Sequence, residues 1–159
     1  MKKKMVLISV IAVVVILFLG GCIGNPQNKN NSNTNTNSNS APQQNETEVR
    51  IPISDISTTA KFYSYDSNGV SVRYFTVEDK QGNVHVAFDA CDVCYEAKKG
   101  YRQNGDVMHC INCGKEFSIS SIGVENTAGG CWPSFLPMNS DGNDVLIKIA
   151  DLESKSYMF

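Results

Sequence analysis

The chain contains few of the residues that carry most enzymatic chemistry. Among 159 residues there are two histidines, His85 and His109, and a single tryptophan, Trp132. The sequence has no paired catalytic carboxylates, no nucleophile beside a base in a known motif and no glycine-rich phosphate loop. An enzyme that acts on an organic substrate is therefore not expected. We expect each histidine to be a surface group or to lie behind a binding site, not to be a metal ligand.

Positive charge is also scarce. The formal net charge is −2, and residues 1–21 contain three lysines, Lys2 to Lys4, and no acidic residue. Removing those three positive charges leaves −5 on the rest of the chain. Nucleic-acid binding needs clustered lysine and arginine, so a nucleic-acid partner is excluded.

The sequence lacks a hydrophobic run long enough for a stable membrane span. The apolar stretch from Met5 to Leu19 has 15 residues, so as a helix it reaches about 22 Å, whereas a bilayer core is about 30 Å thick. Its basic start and small residues before Cys22 are typical of a signal peptide over residues 1–21. The Leu19-Gly20-Gly21-Cys22 junction resembles a lipobox, which predicts cleavage and lipid attachment at Cys22. An uncleaved membrane anchor is the alternative, and both place the domain at the extracytoplasmic face of the cell membrane.

Residues 22–45 contain almost nothing that could form a core. From Gly24 to Asn45 there are nine asparagines, and the one apolar side chain is Ala41, apart from two prolines. This composition predicts a disordered linker. The folded domain is then expected over residues 46–159.

The first part of that domain has the alternating pattern of β-strands. Strands are predicted over Lys61–Asp66 and Val70–Val77 and again from Val84, with turn residues between them. They suggest an antiparallel meander with one buried face, and Asp144–Ala150 suggests a further strand. The segment from Asp89 to Pro137 is rich in cysteine and glycine and should have little regular structure. The predicted fold class is α+β, mostly β, with a small antiparallel sheet and an irregular cysteine-rich metal-binding segment.

Five of the six cysteines remain if Cys22 carries lipid. An odd number cannot form a closed disulfide framework, although two bridges and one free thiol remain conceivable. Four of the five form two Cys-x-x-Cys pairs that are separated by 15 residues. This spacing is typical of a tetrahedral metal site, because each tight turn presents two thiolates to one ion. The pairs are Cys91/Cys94 and Cys110/Cys113.

The two pairs predict different local structures. Gly114 follows the second pair and can adopt the left-handed conformation that points backbone N–H groups at sulfur. The first pair leads into a predicted short helix ended by Gly100, with Asp89 or Asp92 as its N-terminal cap. Cys91 and Cys94 would then share one helical face near the positive end of the helix dipole.

Cys131 is the fifth thiol and lies in a Gly129-Gly130-Cys131-Trp132-Pro133 segment. A fifth thiolate exceeds the four that structural zinc requires, so Cys131 is a candidate ligand of a cluster or of a second metal. A packed free cysteine is the alternative. Trp132 is expected to cover the site from water.

A series of motifs runs through the cysteine-rich region: Phe88–Tyr101, Gly105-Asp106, Cys110–Gly114, Phe117, Ile122-Gly123 and Gly129–Cys131. With these motifs the chain resembles the FtrD-like family of membrane iron–sulfur proteins over about Ile51 to Phe159. This resemblance implies extracytoplasmic electron transfer linked to membrane iron uptake, with a membrane redox or metal-transport protein as partner. It also makes all five cysteines, Cys91, Cys94, Cys110, Cys113 and Cys131, candidate ligands of an iron–sulfur cluster.

Three functions remain open from the sequence. The first is an iron–sulfur electron carrier, which would have to acquire its cluster after export, because the leader has no Arg-Arg pair. The second is an interaction module built on structural Cys₄ zinc, in which Cys131 is incidental. The third is a thiol–disulfide oxidoreductase that uses the Cys91/Cys94 pair.

Overall fold

The computed structural model describes residues 41–159. The predicted signal peptide, the lipid-attachment residue Cys22 and the linker up to residue 40 lie outside the described residues. Within residues 41–159 no helix is long and apolar enough to cross a membrane. The strands are β1 (Gln43–Gln44), β2 (Glu48–Pro52), β3 (Lys61–Ser67), β4 (Val70–Glu78), β5 (Val84–Cys91), β6 (Tyr101–Asn104), β7 (Val107–Cys110), β8 (Glu116–Ser118), β9 (Pro133–Phe135), β10 (Asn139–Ser140) and β11 (Asp144–Lys148). The helix α1 (Ile149–Ser154) follows, and 3₁₀ turns span Ile53–Asp55, Tyr95–Ala97, Ile119–Ser121 and Ser156–Met158.

The strands form three small antiparallel sheets. The central sheet has the order β3-β4-β5-β9, and the terminal sheet has the order β1-β2-β11-β10. The third sheet, called here the cysteine sheet, has the order β6-β7-β8. The predicted mostly β, antiparallel class is confirmed.

The predicted meander is present as β3, β4 and β5. The turn between β3 and β4 has positive φ at both Asn68 (52°) and Gly69 (87°), which matches the right-handed twist of the flanking strands. The Gly69 N–H donates to Asp66 Oδ1 at 3.0 Å and closes this turn. The predicted strand starts at Lys61, Val70 and Val84 are therefore correct.

The expectation that only one face of the meander is buried is wrong. Val72, Tyr74, Val86 and Phe88 lie in a first core, shared with the terminal sheet and α1. The opposite face of the same strands carries a second core, which is shared with the cysteine sheet. Its central-sheet members are Phe75, Val77, Ala87 and Cys91, and its other members are Tyr101, Met108, Cys110, Phe117, Ile119 and Ile122. The cysteine-rich region is thus a layer that packs on the central sheet.

Two further expectations need correction. The segment from Asp89 to Pro137 contains the short strands β6 to β9, because two hairpin turns fold β6, β7 and β8 into a sheet. The predicted strand Asp144–Ala150 ends at Lys148, and the chain continues as α1. The short strand β1, which pairs with β2, precedes Glu46.

Gly100 has a specific packing role at the start of the cysteine sheet. Its φ is +70°, and a Cβ at this position would lie 2.6 Å from Asp89 Cγ. Asp89 is 7 % exposed and cannot easily move, because it accepts the Tyr101 N–H (2.6 Å) and the Arg73 Nε–H (3.0 Å). Only glycine therefore allows β6 to start this close to β5.

We expect Gly100→Ala to lower the free energy of unfolding by about 3 kcal/mol, because left-handed strain adds to the collision with Asp89. Gly105 is a matched control, since its φ is +59° and nothing lies within 4 Å of a Cβ there. Gly105→Ala should cost about 1 kcal/mol. Urea unfolding of both variants checks the difference, and equal losses would show that the Asp89 contact is unimportant.

Candidate metal centre

The structure brings all five predicted cysteines into one cluster. Each pair spans a strand end and the turn that follows it, because Cys91 ends β5 and Cys110 ends β7. Cys131 lies just before β9, which pairs with β5. All five are free thiols. Two sulfur–sulfur distances are 3.7 Å (Cys94 to Cys131) and 3.6 Å (Cys113 to Cys131).

Two sets of three sulfurs are close enough to hold a metal ion. Within each set all sulfurs lie within 4.8 Å of one another. The first set is Cys91, Cys94 and Cys131, and the second is Cys94, Cys110 and Cys113. The spacing of the two pairs thus predicted a real convergence of thiols.

Cys91 is surrounded by hydrogen-bond donors. Burial opposes ionisation of its thiol, but the backbone N–H groups of Val93 and Cys94 point at the sulfur and favour the thiolate. The backbone N–H of Trp132 adds to this effect. Together the donors lower the pKa of Cys91 to about 7. Cys91 thus ionises more readily than an ordinary cysteine before any metal binds.

The predicted helix around the first pair is not formed. Cys91 belongs to a strand, and the turn after Cys94 is a three-residue 3₁₀ helix whose C-cap, Lys98, has φ of +52°. Neither aspartate caps it: Asp89 bonds Tyr101 and Arg73, while Asp92 accepts from Asn126. The N–H groups of a tight turn, not a helix dipole, therefore activate Cys91.

The second pair has the predicted turn geometry. Gly114 has φ of +76°, and its N–H donates to the Cys110 carbonyl at 2.9 Å. Burial raises the pKa of Cys110 to about 11, although the N–H groups of Asn112 and Cys113 act on its sulfur. The Lys115 N–H lowers the pKa of Cys113, which is exposed. The two sulfurs of this pair thus face the interior and the solvent respectively.

The Cys131 loop is fastened to the first pair. The Asp92 N–H donates to the Trp132 carbonyl at 3.0 Å. Asn126 Nδ2 donates to both Asp92 Oδ2 and the Gly130 carbonyl, each at 3.0 Å. Burial, and then the neighbouring cysteine sulfurs, raise the pKa of Cys131 well above its usual range. These hydrogen bonds therefore hold Cys131 in the cluster. Without a metal, its thiol resists ionisation.

Gly129 and Gly130 allow the backbone to bend before Cys131. Their φ values are +74° and +80°, and nothing lies within 4 Å of a Cβ at either position. Glycine is therefore needed at both positions for the backbone conformation, not to leave space for a neighbour.

Aromatic side chains pack in the second core beside the cluster cysteines. The Trp132 ring packs edge-on against Phe117 with ring centroids 5.3 Å apart, and Phe117 packs against Tyr101 at 6.1 Å. Trp132 packs against the second core, as do Cys94 and Cys131. The role of Tyr101 depends on its pairing with Cys110 across β6 and β7, a long-range register that composition alone does not reveal.

Both histidines lie outside the sulfur sets. His85 is bonded through its two ring nitrogens to Asp79 Oδ2 and to the Ile122 carbonyl, both at 3.0 Å. His109 faces Glu116 at 3.5 Å on the neighbouring strand. Both make structural polar contacts, and His85 is largely buried instead of lying at the surface.

We expect the Cys91 thiol to stabilise the metal-free fold in a pH-dependent way. Its folded-state pKa near 7 lies below the ordinary 9.0. Ionisation therefore stabilises the metal-free fold above pH 9, and this contribution disappears as the pH falls through about 7. Titration of thiolate absorbance in the reduced, metal-free chain checks the pKa, and the absence of a thiol that ionises near pH 7 would contradict it.

The donor set fits a thiophilic metal. Only thiolates are offered, which suits iron–sulfur centres and zinc and disfavours magnesium or calcium. With metal–sulfur bonds of about 2.3 Å, the ligands of one tetrahedral ion lie about 3.8 Å apart. The distances from Cys131 Sγ to Cys113 Sγ (3.6 Å) and to Cys94 Sγ (3.7 Å) are close to that spacing. The cluster is therefore suited to a compact metal–thiolate centre.

Comparison with known proteins gives one match. Residues 53–159 match the family described as membrane iron–sulfur containing protein FtrD-like. The matched region includes all five clustered cysteines and covers most of the chain. No curated protein and no solved structure matches.

Proposed function

The chain belongs to the FtrD-like family of membrane iron–sulfur containing proteins, and from this premise we propose that its cysteine cluster holds an iron–sulfur centre that transfers electrons. The proposed setting is membrane iron uptake, at the extracytoplasmic face. The observation that carries this proposal is the cluster itself, in which five free thiols converge and one of them, Cys113, is exposed. An electron carrier needs an exposed ligand of this kind, because electrons must reach a partner through the protein surface.

The residues around the cluster suit a redox centre. When bound, an iron–sulfur centre supplies one-electron chemistry. The N–H groups around Cys91 and Cys110 stabilise negative charge on sulfur, and such hydrogen bonds raise a cluster's reduction potential. Trp132 and Phe117 exclude water from one side. The chain would thus shield the centre from water on one side and raise its reduction potential.

The exposed edge of the cluster is apolar. Val93 and Ile111 are 58 % and 44 % exposed, and each lies inside one of the two Cys-x-x-Cys turns. Small, weakly bound contacts are typical of electron-transfer partners. We therefore place the partner, a membrane redox or metal-transport protein, at the face that carries Val93, Ile111 and Cys113.

The proposed anchor keeps the domain close to such a partner. Lipid on Cys22 would hold the chain at the membrane, and the 19 residues from Gly24 to Pro42 would span about 24 Å as a flexible linker. The domain could then contact a membrane partner without dissociating from the surface.

A redox titration tests electron transfer. The full chain, purified anaerobically in detergent, should be coloured and should lose and regain its visible absorption when it is reduced and reoxidised. Exchange of Val93 and Ile111 for serine should leave this cycle unchanged, since neither side chain binds the metal, but should slow electron exchange with membranes. A colourless chain without a reversible redox step would refute the proposal.

Anchoring is tested separately with Cys22→Ala. The unaltered chain should incorporate labelled fatty acid and sediment with membranes, whereas the variant should incorporate none. Absence of label from the unaltered chain would contradict lipid attachment and favour the uncleaved anchor.

Structural zinc is the second candidate, favoured by the set of Cys94, Cys110 and Cys113, whose sulfurs lie within 4.8 Å of one another without Cys131. It predicts a colourless chain with one zinc. The thiol–disulfide oxidoreductase hypothesis loses its main support, because Cys91 and Cys94 do not lie on a helix.

A further inference from the structure

Cys94 occupies the centre of the sulfur cluster. It belongs to both close sets, so its sulfur lies within 4.8 Å of each of the other four sulfurs. A site with four ligands and a spare cysteine would leave the spare sulfur at the edge. Here Cys131 instead lies 3.7 Å from Cys94 and 3.6 Å from Cys113. The other four sulfurs, Cys131 included, thus lie around Cys94, and none of them is set apart.

One tetrahedral ion cannot use all five of these sulfurs. Four ligands fill its coordination shell, and the fifth sulfur would remain a thiol without a metal. A second ion gives every sulfur a metal, and five thiolates with two divalent ions carry a net charge of only −1. A small net charge suits this site, because Cys91 and Cys110 are only 3 % and 1 % exposed.

The hydrogen bonds that hold the Cys131 loop in place support a role for Cys131 as a metal ligand. Asn126 bridges Asp92 and the Gly130 carbonyl, and Asp92 bonds the Trp132 backbone. These contacts hold Cys131 beside the first Cys-x-x-Cys turn. Its neighbours there, Cys91 and Cys94, complete a set of three, while Cys110 and Cys113 form the other set with Cys94.

We propose that the cluster binds two thiophilic metal ions, with the Cys94 thiolate as a bridge between them. A thiolate sulfur has enough lone pairs to bind two ions at once. One ion takes Cys91, Cys94 and Cys131, and the other takes Cys94, Cys110 and Cys113. Each ion then keeps one position for a ligand from solution, such as sulfide. This inference rests on the proposed function only in using the same thiolates, and it requires neither iron nor electron transfer.

Cobalt(II) titration tests the inference, because cobalt reports thiolate ligation by its colour and its magnetism. The reduced, metal-free full chain should bind two cobalt ions. The paramagnetic signal should rise with the first ion and fall with the second, because a shared sulfur couples their spins. Cys22→Ala should bind two ions as well, since Cys22 is not among the proposed ligands.

The variants separate a bridge from two independent sites. Cys131→Ser should reduce binding to one cobalt per chain, and Cys94→Ser should remove the spin coupling. Binding of a single cobalt by the unaltered chain would overturn the proposal, as would two ions without coupling, and neither result depends on a variant that folds. Two coupled cobalt ions in a chain whose natural metal is zinc would support the bridge and refute the iron–sulfur function.

Discussion

Cys110→Ala should strip the chain of its metal and lower its free energy of unfolding by about 4 kcal/mol, the scale expected when a bound metal is lost. Cys110 is 1 % exposed, ends β7 and contributes to the second core. Alanine keeps an apolar side chain there, so the mutation removes the ligand with little loss of packing. Metal content and urea unfolding of the same preparation measure both effects.

Met108→Ala is the matched control for Cys110→Ala. Met108 lies on the same strand, is fully buried and belongs to the same core. Its truncation should cost about 2–5 kcal/mol through the cavity it leaves, while the metal content stays the same. If Cys110→Ala retained its full metal content, Cys110 would be a core residue and not a ligand.

Phe75→Ala should cost about 3–5 kcal/mol, because it opens a cavity in the second core, between the central sheet and the cysteine sheet. Phe75 is fully buried, whereas Phe62, its direct partner across β3 and β4, is 44 % exposed. Their rings lie 5.5 Å apart. Phe62→Ala removes the same aromatic pair but little burial, so it should cost about 1 kcal/mol.

The comparison of Phe75→Ala with Phe62→Ala examines whether the cysteine-rich layer packs firmly on the central sheet. Denaturant unfolding under reducing, anaerobic conditions provides the two free energies. Losses of similar size would mean that this face of the sheet is open to solvent.

The sequence predicted the strands of the central sheet well, because turn residues and alternation define them. It did not predict that both faces of the central sheet are buried, because alternation of apolar and polar residues indicates a sheet with one apolar and one polar face. A signal was present in Tyr74-Phe75-Thr76-Val77, a run without a polar face that is typical of a strand covered on both sides. What covers the second face is decided by long-range packing of the cysteine sheet.

The site was predictable in its ligands more than in its geometry. The spacing of the two Cys-x-x-Cys pairs and Gly114 indicated a convergence of four thiols. The prediction that the helix after Cys94 continues to Gly100 is wrong, because Lys98 adopts a left-handed conformation and Gly100 must fit against Asp89. The position of Cys131 depends on the bonds of Asn126, a contact across 34 residues that no local pattern shows.

Metal and sulfide analysis of the full chain, purified without oxygen from the membranes that contain it, tests the metal centre most directly. Bound iron with inorganic sulfide is expected, retained during dialysis and absent from Cys110→Ala. A folded chain that contains no metal, and whose five clustered cysteines all react as free thiols, would contradict a metal centre at this site.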